Sequence, residues 1–282
     1  MRWLSFERDG ALSFGYVTSS GAGVVDAGAR SSYSTLREAI EADALQSLVS
    51  ECGDEADLSL DGLTFAPTIT DPKKILCVGL NYKAHQEETG RGGEGVPTVF
   101  VRFAAAQVAH GQPMIEPRES STLDWEGEIA MIIGKGGRRI SQADALDHVV
   151  GFGIYNDGSV REYQRHTSQF TPGKNFTATG GFGPWMMTLD EIGDVRAMEL
   201  TTRVNGEVMQ NATADLMVHG FEELIEFCST FIELEPGDVI VTGTPGGVGS
   251  ARNPPVFMHD GDVVEVEVSP IGKLVNPVVA EA

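Results

Sequence analysis

Two glutamates stand at the entrance to an apolar segment in the middle of the chain. Glu126 and Glu128 belong to the motif DWEGE, which runs directly into the apolar stretch Ile129–Ile133. Residues i and i+2 of a β-strand point to the same face, so the two carboxylates would project side by side. Because the stretch is apolar at every position, we expect the strand to enter the core and partly desolvate both carboxylates. Like charges held this close need a cation or a shared proton, and a metal ion is the simplest solution.

A third oxygen ligand is available where another apolar segment ends. Asp157 is the last residue of the segment GFGIYND, whereas Glu126 and Glu128 lie at the start of their apolar segment. Three carboxylates without a neighbouring His or Cys form a hard site, which suits Mg²⁺ or Mn²⁺ and not Zn²⁺. On spacing alone, the alternative is that all three are surface acids of a very acidic protein. The alternating sequence VVEVEV predicts that Glu265 and Glu267 are surface acids of this kind, on the solvent face of a strand.

A histidine and a glutamate at helical spacing could supply a base. His85 and Glu88 follow the apolar segment that ends at Gly79, and at i and i+3 they would face each other on one turn. A carboxylate beside an imidazole fixes its tautomer and raises its basicity, which a water-activating base needs. The alternative is a surface histidine in a polar loop. The glycine-rich segment Thr89–Gly95 comes next and is a candidate lid.

Two basic residues and a glycine loop complete the set of candidates. Arg161 and Lys174 could provide the positive charge that an anionic substrate needs in an acidic protein, or could be solvated side chains. The loop Thr242–Gly249 lacks the Gly-Lys-Ser/Thr ending of a phosphate-binding loop, and GFGIYN lacks the third glycine of a dinucleotide fingerprint. We therefore exclude a nucleotide site. The loop amides could instead bind a carboxylate, or the loop could be a plain turn.

The composition narrows the class of protein. The 282 residues include 41 Asp and Glu against 20 Lys and Arg, which gives a formal net charge of −21. Such a surface repels phosphate backbones and anionic lipids, so we expect neither nucleic acid nor a membrane as partner. Cys52, Cys77 and Cys228 are too sparse for a disulfide framework or a zinc site. The acidic start of the chain has no apolar core of a signal peptide. We expect a cytoplasmic protein.

The elements that would position these residues follow from the apolar periodicity. We predict a small N-terminal α+β domain over residues 1–70, with three short strands and a helix capped by Thr35 and Glu38. Residues 71–282 would form a second, β-rich domain with two helices, one after Ser141 that ends near Gly151 and one over residues 221–231. Its predicted strands are Lys74–Gly79, Thr98–Phe103, Glu128–Ile133, Val149–Tyr155, Glu199–Val204, Val239–Thr242 and Val263–Val268.

Over about residues 72–279 the chain resembles the fumarylacetoacetate hydrolase family, including its bacterial-type acylpyruvate hydrolases and related 2-oxo-acid enzymes. The matching residues are Asn81-Tyr82 with His85 and Glu88, Asp124 to Lys135, Asn156-Asp157 with Arg161 and Gln164, Gly173-Lys174 with Phe176, Gly183-Pro184-Trp185, Leu200 to Gly206, Leu234 to Asp238, Thr242 to Gly249, Gly261 to Glu267, Ile271-Gly272 and Asn276-Pro277-Val278. So many matches in the same order argue against chance. The resemblance implies an α+β, predominantly β fold, a mixed β-sandwich roll with a small N-terminal domain, which is usually a homodimer.

The resemblance also assigns roles to individual residues. Mg²⁺ or Mn²⁺ would be bound by three carboxylates, which are Glu126, Glu128 and Asp157. His85 with Glu88 would activate water, and Lys174 would stabilise a developing oxyanion. The residues that would bind substrate are Arg161, Gln164 and Thr244.

The activity that the resemblance implies is hydrolysis of a C–C bond in an acylpyruvate or related β-diketo 2-oxo acid. Decarboxylation of an oxaloacetate-type acid, and isomerisation or hydration of a 2-hydroxy-dienoate dicarboxylic acid, use the same metal–enolate chemistry and stay open. A non-catalytic metal-binding scaffold stays open too. Two departures from the family, Gly180-Gly181 in place of a Cys-Pro pair and Gly158 in place of a larger residue, are expected close to the pocket. We therefore do not carry over a particular substrate.

Overall fold

The computed structural model describes residues 1–92 and 95–282. The strands of this part are β1 (Arg2–Arg8), β2 (Ala11–Val17), β3 (Gly23–Val25), β4 (Leu58–Ser59), β5 (Thr64–Ala66), β6 (Ile75–Gly79), β7 (Thr98–Arg102), β8 (Gln107–Ala109), β9 (Met114–Glu116), β10 (Leu123–Asp124), β11 (Gly127–Ile133), β12 (Val149–Asp157), β13 (Ser159–Val160), β14 (Gly180–Thr188), β15 (Glu199–Val204), β16 (Glu207–Thr213), β17 (Val239–Val241), β18 (Val263–Ser269) and β19 (Gly272–Ala280). The helices are α1 (Leu36–Glu41), α2 (Leu45–Cys52), α3 (Lys83–Thr89), α4 (Arg161–Gln164), α5 (Thr171–Lys174) and α6 (Phe221–Phe231). The predicted α+β, predominantly β class is confirmed. No helix in the described ranges is long and apolar enough to cross a membrane.

Two large β-sheets enclose the main core. One has the strand order β4-β3-β2-β1-β14-β12-β11-β17-β6-β7, with β5 beside β1 and β8 beside β14. The other has the order β16-β15-β18-β19-β9. Ile129 and Met131 of β11 pack in one cluster with Leu200 of β15 and Val266 of β18, so the two sheets lie face to face. This packing confirms the predicted sandwich-like roll.

Strand β11 is buried on both faces, as its uninterrupted apolar sequence predicts. Ile129, Met131 and Ile133 belong to the cluster between the sheets, while Ala130 and Ile132 belong to a second cluster on the opposite face. The apolar residues of α1 and α2 cover that opposite face. Because both faces are packed, the strand holds any side chain at its start in a fixed position.

The N-terminal segment extends the larger sheet. Strand β1 pairs antiparallel with β14, where Arg2 lies opposite Met187 and Trp3 lies opposite Met186. The hydrogen-bonded sheet therefore continues from the first strands into the rest of the chain. The division into residues 1–70 and 71–282 stays a prediction.

The predicted N-terminal helix is divided in the structure. Thr35 caps α1 as predicted, because its Oγ1 accepts a hydrogen bond from the backbone N–H of Glu38 at 3.2 Å. The apolar stripe then continues in a separate helix, α2. Between them, Asp43 has a φ of 52°, which lies in the left-handed region and interrupts the helix.

Of the two helices predicted in the second domain, one is confirmed and one is wrong. Helix α6 spans Phe221–Phe231 and buries its apolar face as expected. After Ser141, the chain forms only a single 3-10 turn over Ala145–His148. The β-branched pair Val149 and Val150 begins β12 directly, because pairing with β11 leaves no residues for a longer helix.

Four strand ends meet at one edge of the larger sheet. Strand β17 runs parallel to β6 and antiparallel to β11, and β11 runs antiparallel to β12. The carboxyl ends of β6, β12 and β17 therefore lie beside the amino end of β11. This edge carries the predicted site residues that flank these strands.

Candidate metal centre and active site

Three carboxylates converge at this edge of the sheet. Glu126 precedes β11, Glu128 is its second residue, and Asp157 ends the neighbouring β12. The backbone N–H of Asp157 donates to the carbonyl of Glu126 at 2.8 Å, which fixes the two strand ends together. One carboxylate oxygen from each residue lies within 4.8 Å of the others, and all three residues are buried. The structure thus brings the three predicted metal ligands together.

Two of the carboxylates are bound by cationic side chains. Lys174 Nζ lies 2.5 Å from Glu126 Oε2 and 2.6 Å from Asp157 Oδ2. Arg161 donates to Glu126 Oε1 at 2.6 Å. Arg102 donates to Asp157 Oδ1 at 2.6 Å. These contacts place positive charge beside both buried carboxylates. The positive charges of Lys174 and Arg161 hold the pKa of Glu126 well below its usual range in spite of its burial.

The third carboxylate, Glu128, has no such partner among residues 1–92 and 95–282. Its Oε2 accepts one hydrogen bond, from the backbone N–H of Gly243 at 2.5 Å. Burial, with the negative charges of Asp157 and Glu126, raises the pKa of Glu128 well above its usual value. A divalent cation beside all three carboxylates would remove this repulsion. The buried, all-oxygen donor set therefore fits an ion such as Mg²⁺ or Mn²⁺.

His85 and Glu88 form the predicted pair on α3. His85 Nδ1 lies 2.7 Å from Glu88 Oε1, and His85 is buried. An ionised carboxylate can only accept hydrogen bonds, so Nδ1 donates to Glu88, and in the neutral imidazole Nε2 is the nitrogen with the free lone pair. This tautomer is the one that can accept a proton from a substrate. The candidate lid Thr89–Gly95, which follows this helix, lies partly outside the described residues.

The glycine loop Thr242–Gly249 binds acidic side chains of the protein itself. Three of its amides each donate to one carboxylate, and the pairs are Gly243 with Glu128 (2.5 Å), Gly247 with Glu88 (2.7 Å) and Gly249 with Asp124 (2.8 Å). Gly243 and Gly247 have φ values of 103° and 108°, which favour glycine. The loop is therefore the amide nest that the sequence left as one of two alternatives, and it links the metal centre to the histidine pair.

One cavity of about 400 Å³ joins these groups. Eight of the nine predicted site residues line it, and they are His85, Glu88, Glu126, Glu128, Arg161, Gln164, Lys174 and Thr244. Asp157 is fully buried behind Glu126 and Lys174. Phe100 and Phe170 contribute an apolar wall. The cavity is at the small end of the range for ligand sites, which suits a small acid.

The three predicted substrate-binding residues already have partners within the protein. Arg161 Nε donates to Asp124 at 2.7 Å, and its Nη1 donates to Gln164 Oε1 at 2.9 Å. Its Nη2 is buried without a partner in the described structure, so this donor is available to a ligand. Thr244 Oγ1 donates to the carbonyl of Gly127 at 2.9 Å. The substrate-binding roles stay predictions.

Two residues of the site, Arg102 and Asp124, were assigned no role in the sequence analysis. Arg102 is buried behind Asp157 and also donates to Thr179 Oγ1 at 2.9 Å. Asp124 accepts from Arg161 and from the backbone N–H groups of Gly249 and Ser250. The sequence did contain a signal for Arg102, which is the single arginine in the apolar sequence TVFVRF. A guanidinium buried with such a strand needs a carboxylate as partner.

The two departures from the family pattern lie beside Asp157 of the metal centre, close to the cavity as expected, but they do not line it. Gly180 and Gly181 lie within β14, where they pair with Asp157 and Asn156. A Cβ at Gly180 would lie 2.8 Å from Arg102 Nη2. These glycines therefore allow close packing behind the metal centre instead of shaping the substrate site.

Gly158→Ala is expected to lower the free energy of unfolding by about 1–3 kcal/mol. The added Cβ would lie 2.2 Å from the carbonyl oxygen of Thr179 and 2.6 Å from Met114 Cε. Chemical denaturation measures the change. Gly92→Ala is the control, because its Cβ would meet its nearest neighbour, Gln86, at 3.7 Å. Equal stability of the two variants would contradict the close packing at Gly158.

Comparison with known proteins agrees with this arrangement. A family model described as the C-terminal domain of fumarylacetoacetate (FAA) hydrolase matches residues 74–279. The mitochondrial oxaloacetate tautomerase fahd2 of Xenopus laevis is 42% identical over 224 residues, which cover 79% of this chain and 70% of the relative. Oxaloacetate tautomerase YisK of Bacillus subtilis (strain 168) is 40% identical over 216 residues, covering 76% of this chain and 72% of the relative.

A solved structure gives the same result for the fold. The fumarylacetoacetate hydrolase of psychrophilic Exiguobacterium antarcticum is 34% identical, with a TM-score of 0.84 and full coverage of both chains. The matched segment 74–279 agrees with the extent of the resemblance found in the sequence and contains all nine predicted site residues. The chain therefore belongs to the fumarylacetoacetate hydrolase family.

Proposed function

We propose that this chain is a divalent-metal-dependent enzyme that interconverts the keto and enol forms of a 2-oxo dicarboxylic acid such as oxaloacetate. The observation that carries the proposal is that the His85–Glu88 pair and the carboxylates of the metal centre line one small cavity. Two relatives at least 40% identical are named oxaloacetate tautomerases, which favours this reaction over other chemistry on 2-oxo acids.

The proposed reaction is a proton transfer between carbon and oxygen. When bound by Glu126, Glu128 and Asp157, a divalent cation would polarise the 2-oxo group and acidify the adjacent C–H bond. His85 Nε2 accepts the proton as the C–H bond breaks, and the electron pair forms the C=C bond of the enol. Glu88 stabilises the resulting imidazolium through Nδ1. The electron pair of the C=O π bond moves to the 2-oxo oxygen, and the His85 imidazolium then gives its proton to this oxygen, so His85 returns to its neutral form and the reaction consumes no other reactant.

Two cations of the cavity would assist this transfer. The Lys174 ammonium, held by Glu126 and Asp157, would stabilise negative charge on the substrate oxygen as the C–H bond breaks. The unpartnered Nη2 of Arg161 would donate to a substrate carboxylate. Both side chains are fixed by ion pairs, so little reorganisation is needed during the reaction.

His85→Ala is expected to lower kcat for the tautomerisation of oxaloacetate by about 10²–10⁴-fold, because the proton acceptor is lost. Affinity for Mn²⁺ should stay unchanged, since the ligands are elsewhere. The measurement is loss of enol absorbance with Mn²⁺ present, together with NMR of hydrogen–deuterium exchange at the methylene carbon in D₂O. His259→Ala is the control, because His259 forms an equivalent Nδ1 contact with Glu116 at 2.8 Å but is exposed.

The outcomes separate the classes of function. A His85→Ala variant with full activity would contradict the proposed mechanism. Absence of any turnover in the wild type, with Mn²⁺ bound at the three carboxylates, would favour a non-catalytic scaffold. Release of CO₂ above the spontaneous rate would instead identify a decarboxylase.

Hydrolysis of a C–C bond, the activity that we preferred from the sequence, is the second candidate. The same His85–Glu88 pair could activate a water molecule, and the similar Exiguobacterium antarcticum protein is named a fumarylacetoacetate hydrolase. A panel of acylpyruvates, assayed with Mn²⁺ or with EDTA and followed by product analysis, tests this candidate. Metal-dependent cleavage faster than oxaloacetate tautomerisation would make hydrolysis the principal activity.

A further inference from the structure

The outer half of the cavity carries positive charge. Helix α4 ends at Gln164, and Arg165 follows as its C-terminal cap. Arg165 lines the cavity on an exposed part of its wall, as does Arg91, which follows α3. Arg161, on the first turn of α4, lies deeper and is bound to the acids of the metal centre.

Among residues 1–92 and 95–282, these outer arginines lack the acidic partner that a protein of net charge −21 would readily provide. In the described part of the chain, neither guanidinium has a carboxylate within ion-pair distance. Arg91, Arg161 and Arg165 all line this one cavity. Burial and then the positive charges of Arg161 and Arg91 lower the pKa of Arg165, although the carboxylate of Asp124 acts in the opposite direction. Like charges gathered at one place raise the affinity for an anion.

The three carboxylates that line the cavity have contacts away from these outer arginines. Glu128 lies at the metal centre, where it accepts the backbone N–H of Gly243. Glu88 binds His85 and the amide of Gly247. Glu126 binds Arg161 and Lys174. Ser250 and Ala251, which also line the cavity, carry no charge. The cavity therefore has the metal centre at its inner end and a positively charged rim, formed by Arg91 and Arg165, at its outer end.

We propose that Arg165, with Arg91 beside it, binds the distal carboxylate of a dicarboxylic 2-oxo acid whose 2-oxo-acid end lies at the metal centre. Arg165 is thus a specificity-determining residue that selects dicarboxylic over monocarboxylic 2-oxo acids. This inference rests on the proposed function, because it takes the inner end of the cavity as the site of the 2-oxo acid. A guanidinium–carboxylate contact at the rim supplies charge-assisted hydrogen bonds that a methyl group cannot form.

The test compares two pairs of acids that differ only in the distal group, which are 2-oxoglutarate with 2-oxovalerate and oxaloacetate with 2-oxobutyrate. Their affinities for the Mn²⁺-loaded protein are measured by calorimetry for the first pair, and by competition against 2-oxoglutarate for the second. The wild type should bind each dicarboxylate at least about tenfold more tightly than its partner, which corresponds to one charge-assisted contact. Arg165→Gln should reduce this preference to about twofold or less while the affinity for 2-oxovalerate stays the same.

Matched variants separate a specific contact from a change in net charge. Arg165→Lys should keep part of the preference, and Arg91→Gln should reduce it less than Arg165→Gln. Arg196→Gln, at an exposed residue paired with Glu222 away from the cavity, should leave it unchanged. Equal binding of the paired acids by the wild type, failure of all four acids to bind, or full preference in Arg165→Gln would overturn the inference.

The result is distinguishable from failure of the proposed reaction. If the preference is present and depends on Arg165 but oxaloacetate is not tautomerised, the role of Arg165 in binding the distal carboxylate is supported and the proposed reaction is wrong. If tautomerisation is metal-dependent but the wild type binds 2-oxoglutarate and 2-oxovalerate equally, only the proposed role of Arg165 is contradicted.

Discussion

Glu128→Gln is expected to weaken metal binding strongly while leaving the protein folded. Gln has nearly the same volume and can still accept the Gly243 hydrogen bond, but it removes the negative charge beside Asp157 and Glu126. The free energy of unfolding of the metal-free protein should therefore stay equal or rise. Mn²⁺ affinity should fall at least about 100-fold, because even residues that only support metal ligands contribute 10–100-fold. Turnover should fall by about 10³-fold or more, since a bound metal ion stabilises the charge of the transition state by several kcal/mol.

The measurement combines calorimetry of Mn²⁺ binding with the oxaloacetate assay, and EDTA treatment of the wild type should give a similar loss of turnover. Glu265→Gln is the matched control, because Glu265 and Glu267 have the same i, i+2 spacing on a partly exposed strand face. A variant Glu128→Gln that keeps wild-type Mn²⁺ affinity would remove Glu128 from the ligand set.

Lys174→Met is expected to produce the largest change in stability. Lys174 is buried and bridges Glu126 and Asp157, so its loss leaves two buried carboxylates with fewer compensating charges. Removal of one partner from a buried ion pair lowers the free energy of unfolding by about 3–5 kcal/mol. Mn²⁺ should restore part of this loss, because it offers positive charge to the same carboxylates. Turnover should also fall, since the cation beside the substrate oxygen is lost.

Denaturant unfolding with and without Mn²⁺ measures both effects. Lys273→Met is the control, because Lys273 forms a partly exposed ion pair with Glu265 at 3.2 Å. That change should lower the free energy of unfolding by at most about 1 kcal/mol. A loss below this value for Lys174→Met, or one that Mn²⁺ does not reduce, would show that the ammonium does not compensate the metal-site carboxylates.

Features set by short-range pattern were predictable. The apolar run of β11 indicated burial on both faces, and its position after Glu126 and Glu128 placed these carboxylates at a buried strand end. The i, i+3 spacing of His85 and Glu88 on one helical turn gave their contact. In each case the residues that interact are neighbours in the chain, so backbone geometry alone brings them together.

Features that depend on pairing across the sheet were not predictable. Strand β14 has the sequence GGFGPWMMT, whose glycines and proline are typical of a loop, yet it lies between β1 and β12 in the larger sheet. The glycines are accommodated because Arg102 and Asn276 fill the space where side chains would lie. The helix predicted after Ser141 does not form for a related reason, because β12 pairs with β11 from Val149 onwards.

The sequence by itself determined the family through its ordered matches, and it paired Glu126 with Glu128 and His85 with Glu88 through residue types at fixed local spacing. Asp157, a candidate at the end of its own apolar segment, was assigned as a ligand through the family resemblance. Only the tertiary structure decided how the charges are balanced. Lys174 reaches Glu126 across 48 residues of sequence, and Arg102 reaches Asp157 across 55. Such contacts arise where separate strand ends meet at one buried edge, and low solvation there makes each ion pair depend on the exact position of its partner. Glu128 is consequently the metal-centre carboxylate without a cationic side chain in the described residues, and that imbalance is what a divalent ion would correct.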